Sequence, residues 1–456
     1  MKLGLALCSA LAIAAVAAPV RAQDQPAQQP ASPQQPVDYT NAQPGLSGSV
    51  APPRILPDEE VPRGQTVADR PRPDYDPPGL RLGSFILYPD LDVTGSFNSN
   101  ILGQASHPLS DYIVAIQPAV DLKSDWNNNA LNFHADGTIN KYTEHSDQDY
   151  DDYTFSSDGR IDIDRSAILF GGVGYSVRHQ PVYSPNNLGS VIPGLQSAVP
   201  EQYSDLSARG GGRKTFNRLS FRFDVAYDQY SFNDVASTSG VSVPFHLQNY
   251  NEEQFILRSA YELFPQSEVY VLTRYDIRNH DFSSDLFGFN RNSTGYTVAA
   301  GAKYDLTGVT FIDAYAGYYR QDYRDARLQP LDGPTFAVKL TWNVTRLTTV
   351  TGSLNRSVAE TDLPGVSGYV ATVGETHVDH ELLRNVILRA SLGWEEDSFQ
   401  GIARTDDYYA AGVGAKYLIN RNFALSVDYS FQVRNSSQSV NNFRANIVGL
   451  RLSSHF

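Results

Sequence analysis

Residues 219–228 read Leu219-Ser220-Phe221-Arg222-Phe223-Asp224-Val225-Ala226-Tyr227-Asp228, a two-residue alternation of apolar and polar side chains. Successive side chains of a strand point to opposite faces. Leu219, Phe221, Phe223, Val225 and Tyr227 therefore share a greasy face, and Arg222, Asp224 and Asp228 share a polar one. A tilted strand of about 9–11 residues is enough to cross a bilayer.

The same pattern recurs on both sides of this segment. Phe85, Leu87, Leu91, Val93 and Phe97 share a face, as do Val269, Val271, Thr273, Tyr275 and Ile277. Phe336 to Val344, Val386 to Trp394 and Phe423 to Val433 alternate likewise. About 18 such runs are legible, within a range of roughly 16 to 18. Their centres fall near residues 91, 118, 135, 158, 173, 208, 223, 257, 273, 298, 314, 340, 352, 374, 390, 412, 428 and 449. The alternation is most blurred near 208, 314 and 374, where glycine and polar residues interrupt it.

A soluble sandwich shows the same alternation, so the period alone does not choose between it and a membrane barrel. The connections do. Short turns are expected at Asp125–Asn129, Asp164–Ser166, Phe264–Ser267, Asp305–Gly308, Asn343–Arg346 and Ile419–Asn422. Between them lie longer polar stretches at Thr143–Asp152, His179–Gln202, Ser231–Asn249, Arg278–Asn292 and Arg320–Asp332. Outer-membrane barrels alternate short periplasmic turns with longer external loops in this way. At the end of the chain Val448, Leu450 and Leu452 alternate up to a terminal Phe456, resembling the recognition strand that barrel assembly machinery reads. The expected fold is all-β: a closed transmembrane antiparallel barrel over residues 81–456, in contact with outer-membrane lipid and lipopolysaccharide.

The other end carries a leader. Lys2, the apolar run Leu3–Ala18 and the close of Val20, Arg21 and Ala22 predict a signal peptide over 1–22, cleaved after Ala22. Cys8 is too early in that run for a lipoprotein signal, and its removal leaves the mature chain without a thiol. Residues 23–80 hold 13 of the 26 prolines and predict a disordered periplasmic arm, ending in a stiff extended segment, Arg70–Gly79, suited to spacing or to docking a periplasmic export protein. The net charge of −14 argues against a nucleic-acid partner.

The polar faces carry the candidate chemistry. Asp158, Arg160, Asp162, Arg222, Asp224, Arg274, Asp276, Lys339 and Arg389 are expected to line the lumen, with both signs interspersed. Asp92, Asp121, Lys123, Arg258, Lys303, Lys416 and Asp428 belong to the same face. Tyr88, Tyr270, Tyr315, Tyr319 and Tyr408 also point inward and offer rings on which sugars stack. The acidic loop Glu144–Asp152 is read as an exposed polar loop, and the odd spacing of His377 and His380 sends them to opposite faces. No nucleophile stands beside a base, so no catalytic residue, metal ligand or cofactor is assigned, and the chain is read as a passage or scaffold, not an enzyme.

The segment Arg70–Leu102, with Tyr88-Pro89 and Phe97-Asn98-Ser99-Asn100-Ile101-Leu102, resembles the lead-in to the barrel in the β-barrel porin type 2 family, as does Thr341-Trp342-Asn343-Val344-Thr345-Arg346-Leu347-Thr348-Thr349. The resemblance spans about residues 70–456. Some members of that family occur with surface-polysaccharide genes, so it implies a passage for exopolysaccharide. A general diffusion porin for small hydrophilic solutes and an adhesive surface scaffold are the alternatives.

Overall fold

The computed structural model describes residues 65–456 apart from 187, 191, 193 and 362. The expected signal peptide and residues 23–64 of the arm lie outside the described residues. One sheet contains the three-residue strand Leu80–Leu82 and eighteen long strands. The first six are β1 Phe85–Asn98, β2 Asp111–Ser124, β3 Ala130–Tyr142, β4 Tyr150–Asp164, β5 Ala167–Gln180 and β6 Glu201–Phe216. Then come β7 Leu219–Phe232, β8 Tyr250–Phe264, β9 Ser267–His280, β10 Ser293–Asp305, β11 Thr310–Tyr323 and β12 Leu331–Thr345. The last six are β13 Thr348–Ala359, β14 Gly368–Leu383, β15 Val386–Gln400, β16 Thr405–Leu418, β17 Phe423–Ser436 and β18 Phe443–His455. Each expected centre falls inside one of them, including the blurred ones at 208, 314 and 374.

Each strand pairs antiparallel with its chain neighbours, and β1 pairs with β18 from Asp90–His455 to Asn98–Ile447. The sheet therefore closes. Below that stretch the start of β1 is covered by Leu80–Leu82, which pairs with Phe85–Leu87. An open edge would leave main-chain groups unpaired in hydrocarbon, at several kcal/mol each.

Closure separates the two faces. On β7, Phe221, Phe223 and Val225 are 39, 48 and 37% exposed, whereas Arg222, Asp224 and Asp228 are 7, 7 and 0% exposed. The greasy face is the outer surface and the polar face is the interior. Val448, Leu450 and Leu452 lie on the outer face of β18, with Phe456 donating its N–H to Pro89 O at 3.2 Å.

At one end the strands are joined by short turns, five of them two residues long: Arg165–Ser166, Asn217–Arg218, Pro265–Gln266, Arg346–Leu347 and Arg384–Asn385. Asn217 and Gln266, at φ of 56° and 64°, take the left-handed conformation that tight hairpins need. The turn expected at 343–346 is displaced, because a bulge between Asn343 and Thr345 carries β12 two residues further. Longer loops join the strands at the other end, the outer one by the rule that short turns of such barrels face the periplasm.

The expectation of a disordered arm through residue 80 is corrected at its last stretch. Residues 65–79 are folded against the inner wall at the short-turn end, and Arg70–Gly79 is not uniformly extended: Tyr75 and Asp76 N–H both bond Arg72 O at 2.7 Å, making a turn. Proline content opposes regular elements, but it does not prevent a segment from being held by side-chain bonds to a preformed wall.

Leu392 sits near the middle of β15 on the lipid face and is 64% exposed. Leu392→Arg should destabilise the barrel by about 2–4 kcal/mol in reversible denaturant unfolding from vesicles, the cost of a cation at mid-membrane depth, with Leu392→Ala costing much less.

Candidate functional site: the barrel interior and its two covered ends

The inner face is a set of short-range charge pairs. Arg160 bonds Asp162 at 2.9 Å, and Asn132 Nδ2 donates to Asp158 at 2.9 Å. The Arg222 guanidinium forks onto Asp224 at 2.8 and 2.9 Å and lies 4.6 Å from the centre of the Phe170 ring. Arg274 approaches Asp276 at 3.9 Å, and Arg389 Nε donates to Asp379 at 3.0 Å. Lys339 is in register with Asp313 of β11, which accepts the Tyr270 hydroxyl at 2.7 Å. Arg258 stacks over Tyr270 at 3.9 Å and bonds Glu268 at 2.7 Å. The spacing Arg-x-Asp puts both charges on one face of a strand, and Arg160–Asp162, Arg222–Asp224 and Arg404–Asp406 all use it. Such pairing lets guanidinium groups sit in a confined interior without an unpaired charge.

The outer end is covered by loops. β12 pairs with β13 only as far as Phe336–Arg356, whereas β13 continues with β14 to Ala359–Tyr369. Released from β12, the hairpin of β13 and β14 leans into the barrel, so both of its faces are buried. Val358 and Val370 pack on Tyr319 and Leu331 of the neighbouring strands. On the other face Tyr369 and Ala371, with Phe399 of β15, meet Leu188, Val235, Val243 and Phe245 from the loops 181–200 and 233–249.

Three arginines hold this arrangement. Arg291, almost fully buried, bonds Asp285 at 2.6 Å and donates to the carbonyls of Thr361, Val366 and Leu363 at 2.6, 2.9 and 3.0 Å. Arg404 reaches Pro185 O at 3.4 Å, and Arg434 reaches Tyr183 O at 2.7 Å and the Tyr408 hydroxyl at 3.3 Å. Irregular loop carbonyls hidden from water need donors, and the five N–H groups of a guanidinium satisfy several at once. Arg278 also pairs with Glu360 at the hairpin tip. Burial pushes the Glu360 carboxyl above its ordinary value, against the pull of Arg278, and burial likewise raises the Tyr183 phenol.

The five inward tyrosines divide accordingly. Tyr319 and Tyr408 are buried in the covered end, at 6 and 2% exposure; toward the short-turn end Tyr270 is as buried, at 7%, beneath Arg258, while Tyr88 and Tyr315 are half-buried on the inner face. The acidic loop after β3 is tied into the rim: Asp149 accepts from Tyr142 N–H at 2.8 Å, and Asp152 pairs with the His179 ring at 2.7 Å.

At the short-turn end, residues 65–79 form a strap. Val67 is 1% exposed and its N–H donates to Thr349 Oγ1 at 2.9 Å. Arg70 and Arg72 both bond Glu381 Oε2 at 3.0 Å, and Arg72 also caps Val67 O at 2.8 Å. Sequence reading did not single out Glu381, Arg291, Arg404 or Arg434. For Arg404 the signal was its Arg-x-Asp spacing; for the others the partners are far away in the chain. Removing Glu381 leaves two buried or half-buried cations unpaired, a loss of roughly 3–5 kcal/mol. Glu381→Ala should therefore speed hydrogen exchange at the Val67 amide by about a hundredfold or more, while heat-modifiability on a detergent gel stays that of a closed barrel.

Similarity to solved structures is distant. The chain aligns over 81% of its length with 80% of the siderophore receptor PirA from Pseudomonas aeruginosa, at 9% identity and a TM-score of 0.42. For OpdK of Pseudomonas aeruginosa, solved with vanillate, the shares are 81 and 99%, the identity 9% and the TM-score 0.43. For OccAB3 of Acinetobacter baumannii they are 82 and 100%, 10% and 0.43. No curated protein matches the chain. The family model described as "Putative beta-barrel porin 2" matches residues 72–456, the whole barrel with the second half of its strap, and the chain belongs to that family of outer-membrane porin-like passages.

Proposed function

We propose that the passage is gated at its outer mouth by the β13–β14 hairpin, and that its cargo is an extended exopolysaccharide moving outward. The observation that carries the gate is the inward-leaning hairpin, unzipped from β12 above Phe336 and tied down at its tip by Arg291. A general diffusion porin needs a standing aqueous path. Here loops pack across one end and a strap lies against the inner wall at the other, which favours a passage opened on demand over that alternative. Asp158, Arg160, Asp162, Arg222, Asp224, Arg274, Asp276, Lys339 and Arg389 form the hydrated wall of the opened lumen. Their pairing leaves little net field, as suits a cargo that is not selected by charge. Tyr88 and Tyr315, half-buried on the inner face toward the short-turn end, offer it ring faces. A periplasmic export protein would dock at the strap, and the β18 face ending in Phe456 serves barrel assembly.

Planar-bilayer conductance tests the gate. Wild-type protein is expected to open rarely, and Arg291→Ala, which strips three loop carbonyls of their donor, should raise the open fraction at least about tenfold, the equivalent of about 1.4 kcal/mol. Steady ohmic steps from the wild type would restore the diffusion-porin reading, and silence from both proteins would favour a closed scaffold. Added exopolysaccharide should block the current of the open variant; an unaffected current would remove the cargo and leave the gate.

A further inference from the structure

The two rims of the barrel differ in charge. Of the eight connections at the short-turn end, five carry one arginine each: Arg165, Arg218, Arg346, Arg384 and Arg421. All five side chains are exposed, and no hydrogen bond or ion pair ties their guanidinium groups to the described residues. Two of the acids near them are already matched: Asp125 bonds Arg81 at 2.6 Å, and Asp164 bonds Lys214 at 3.1 Å. The longer loops at the other end are acidic on balance, carrying Glu144, Asp147, Asp149, Asp234, Asp281 and Glu360.

Each of these arginines is flanked by exposed apolar side chains. Ile163 precedes Arg165, Phe216 and Leu219 bracket Arg218, and Leu347 follows Arg346; Leu382 and Leu383 precede Arg384, and Ile419 and Phe423 bracket Arg421. A long cationic side chain beside an apolar one is the pattern of the bilayer interface: the apolar group enters the acyl region while the guanidinium rises to the phosphates. Guanidinium groups pair with phosphate in a bidentate fork, and each basic residue near an anionic surface gains about fivefold in association.

From this geometry we infer that the short-turn rim is a binding surface for anionic phospholipid head groups, phosphatidylglycerol or cardiolipin, in the leaflet that faces the periplasm. An acidic periplasmic protein would be met by a cluster on one sector of the rim. These five arginines are instead spread over the connections β4–β5, β6–β7, β12–β13, β14–β15 and β16–β17, beside lipid-facing side chains, as an annulus of lipid requires. The orientation rests on short turns being periplasmic.

The test uses the full mature chain reconstituted in phosphatidylcholine vesicles, with spin-labelled phosphatidylglycerol or spin-labelled phosphatidylcholine as probe. The wild type should immobilise the anionic probe at least about twofold more strongly, and raising ionic strength should weaken the preference. Replacing all five arginines by glutamine should abolish it, and replacing them by lysine should keep most of it. Should the fivefold glutamine variant not fold, as judged by heat-modifiability, the five single glutamine variants are read instead, each expected to lose part of the preference. Equal immobilisation of the two probes by the wild type, or an undiminished preference in the glutamine variants, would overturn the inference, the first outcome turning the rim over to an acidic protein partner.

Discussion

A polypeptide in hydrocarbon has no water to satisfy its main chain, and every other feature of this protein follows from that constraint. The pairing of β1 with β18 completes the hydrogen-bond ladder, and the short strand Leu80–Leu82 covers what β18 does not reach. Once the sheet is closed, the period of two divides each strand into a lipid face and an inner face. At membrane depth, side chains of either charge sign belong on the inner face, where they must find one another. The Arg-x-Asp spacing meets that need within a single strand, without help from a neighbour.

The same requirement governs the ends. Loops that fold across the outer mouth bring irregular main chain into places water no longer reaches, and their carbonyls have no ladder to join. Arg291, Arg404 and Arg434 take the place of the ladder there, each serving loop carbonyls from a position on another segment. An arginine tie of this kind binds several acceptors through one side chain, so its loss frees a whole loop instead of a single contact. At the short-turn end Glu381 reverses the roles, one wall carboxylate gathering two arginines of the strap. A hydrogen-bonded barrel wall is thereby joined to its end covers by side chains.

Much of the wall was legible in advance because its determinants are local. The runs centred near 223, 273 and 428 show which face is greasy without reference to any partner, and turn signals such as Asp125–Asn129 mark the reversals. The blurred runs near 208 and 374 became strands because closure leaves no vacancy in the ring: Gly210, Gly211 and Gly212 have little strand preference of their own, but β5 and β7 hold them in register. The candidate site was legible only as a face. Tyr319 and Tyr408 look the same in the sequence as Tyr88 and Tyr315, yet they are buried in the covered end while those are half-buried on the inner face, because packing at the ends sets access and periodicity carries no information about it.

The sequence by itself determined an all-β barrel of about eighteen strands, the identity of its inner and outer faces, and the end at which its longer loops lie, since each depends on side-chain order over ten or so residues. Only the tertiary structure decided that the hairpin of β13 and β14 bends inward, that the outer mouth is covered, and that residues 65–79 form a strap. Those outcomes depend on donors and acceptors far apart in the chain: Arg291 is 70 residues from Thr361, and Arg434 is 251 from Tyr183. Loops without a ladder take their shape from whichever buried donors the closed wall places within reach, and until the wall closes those donors have no position.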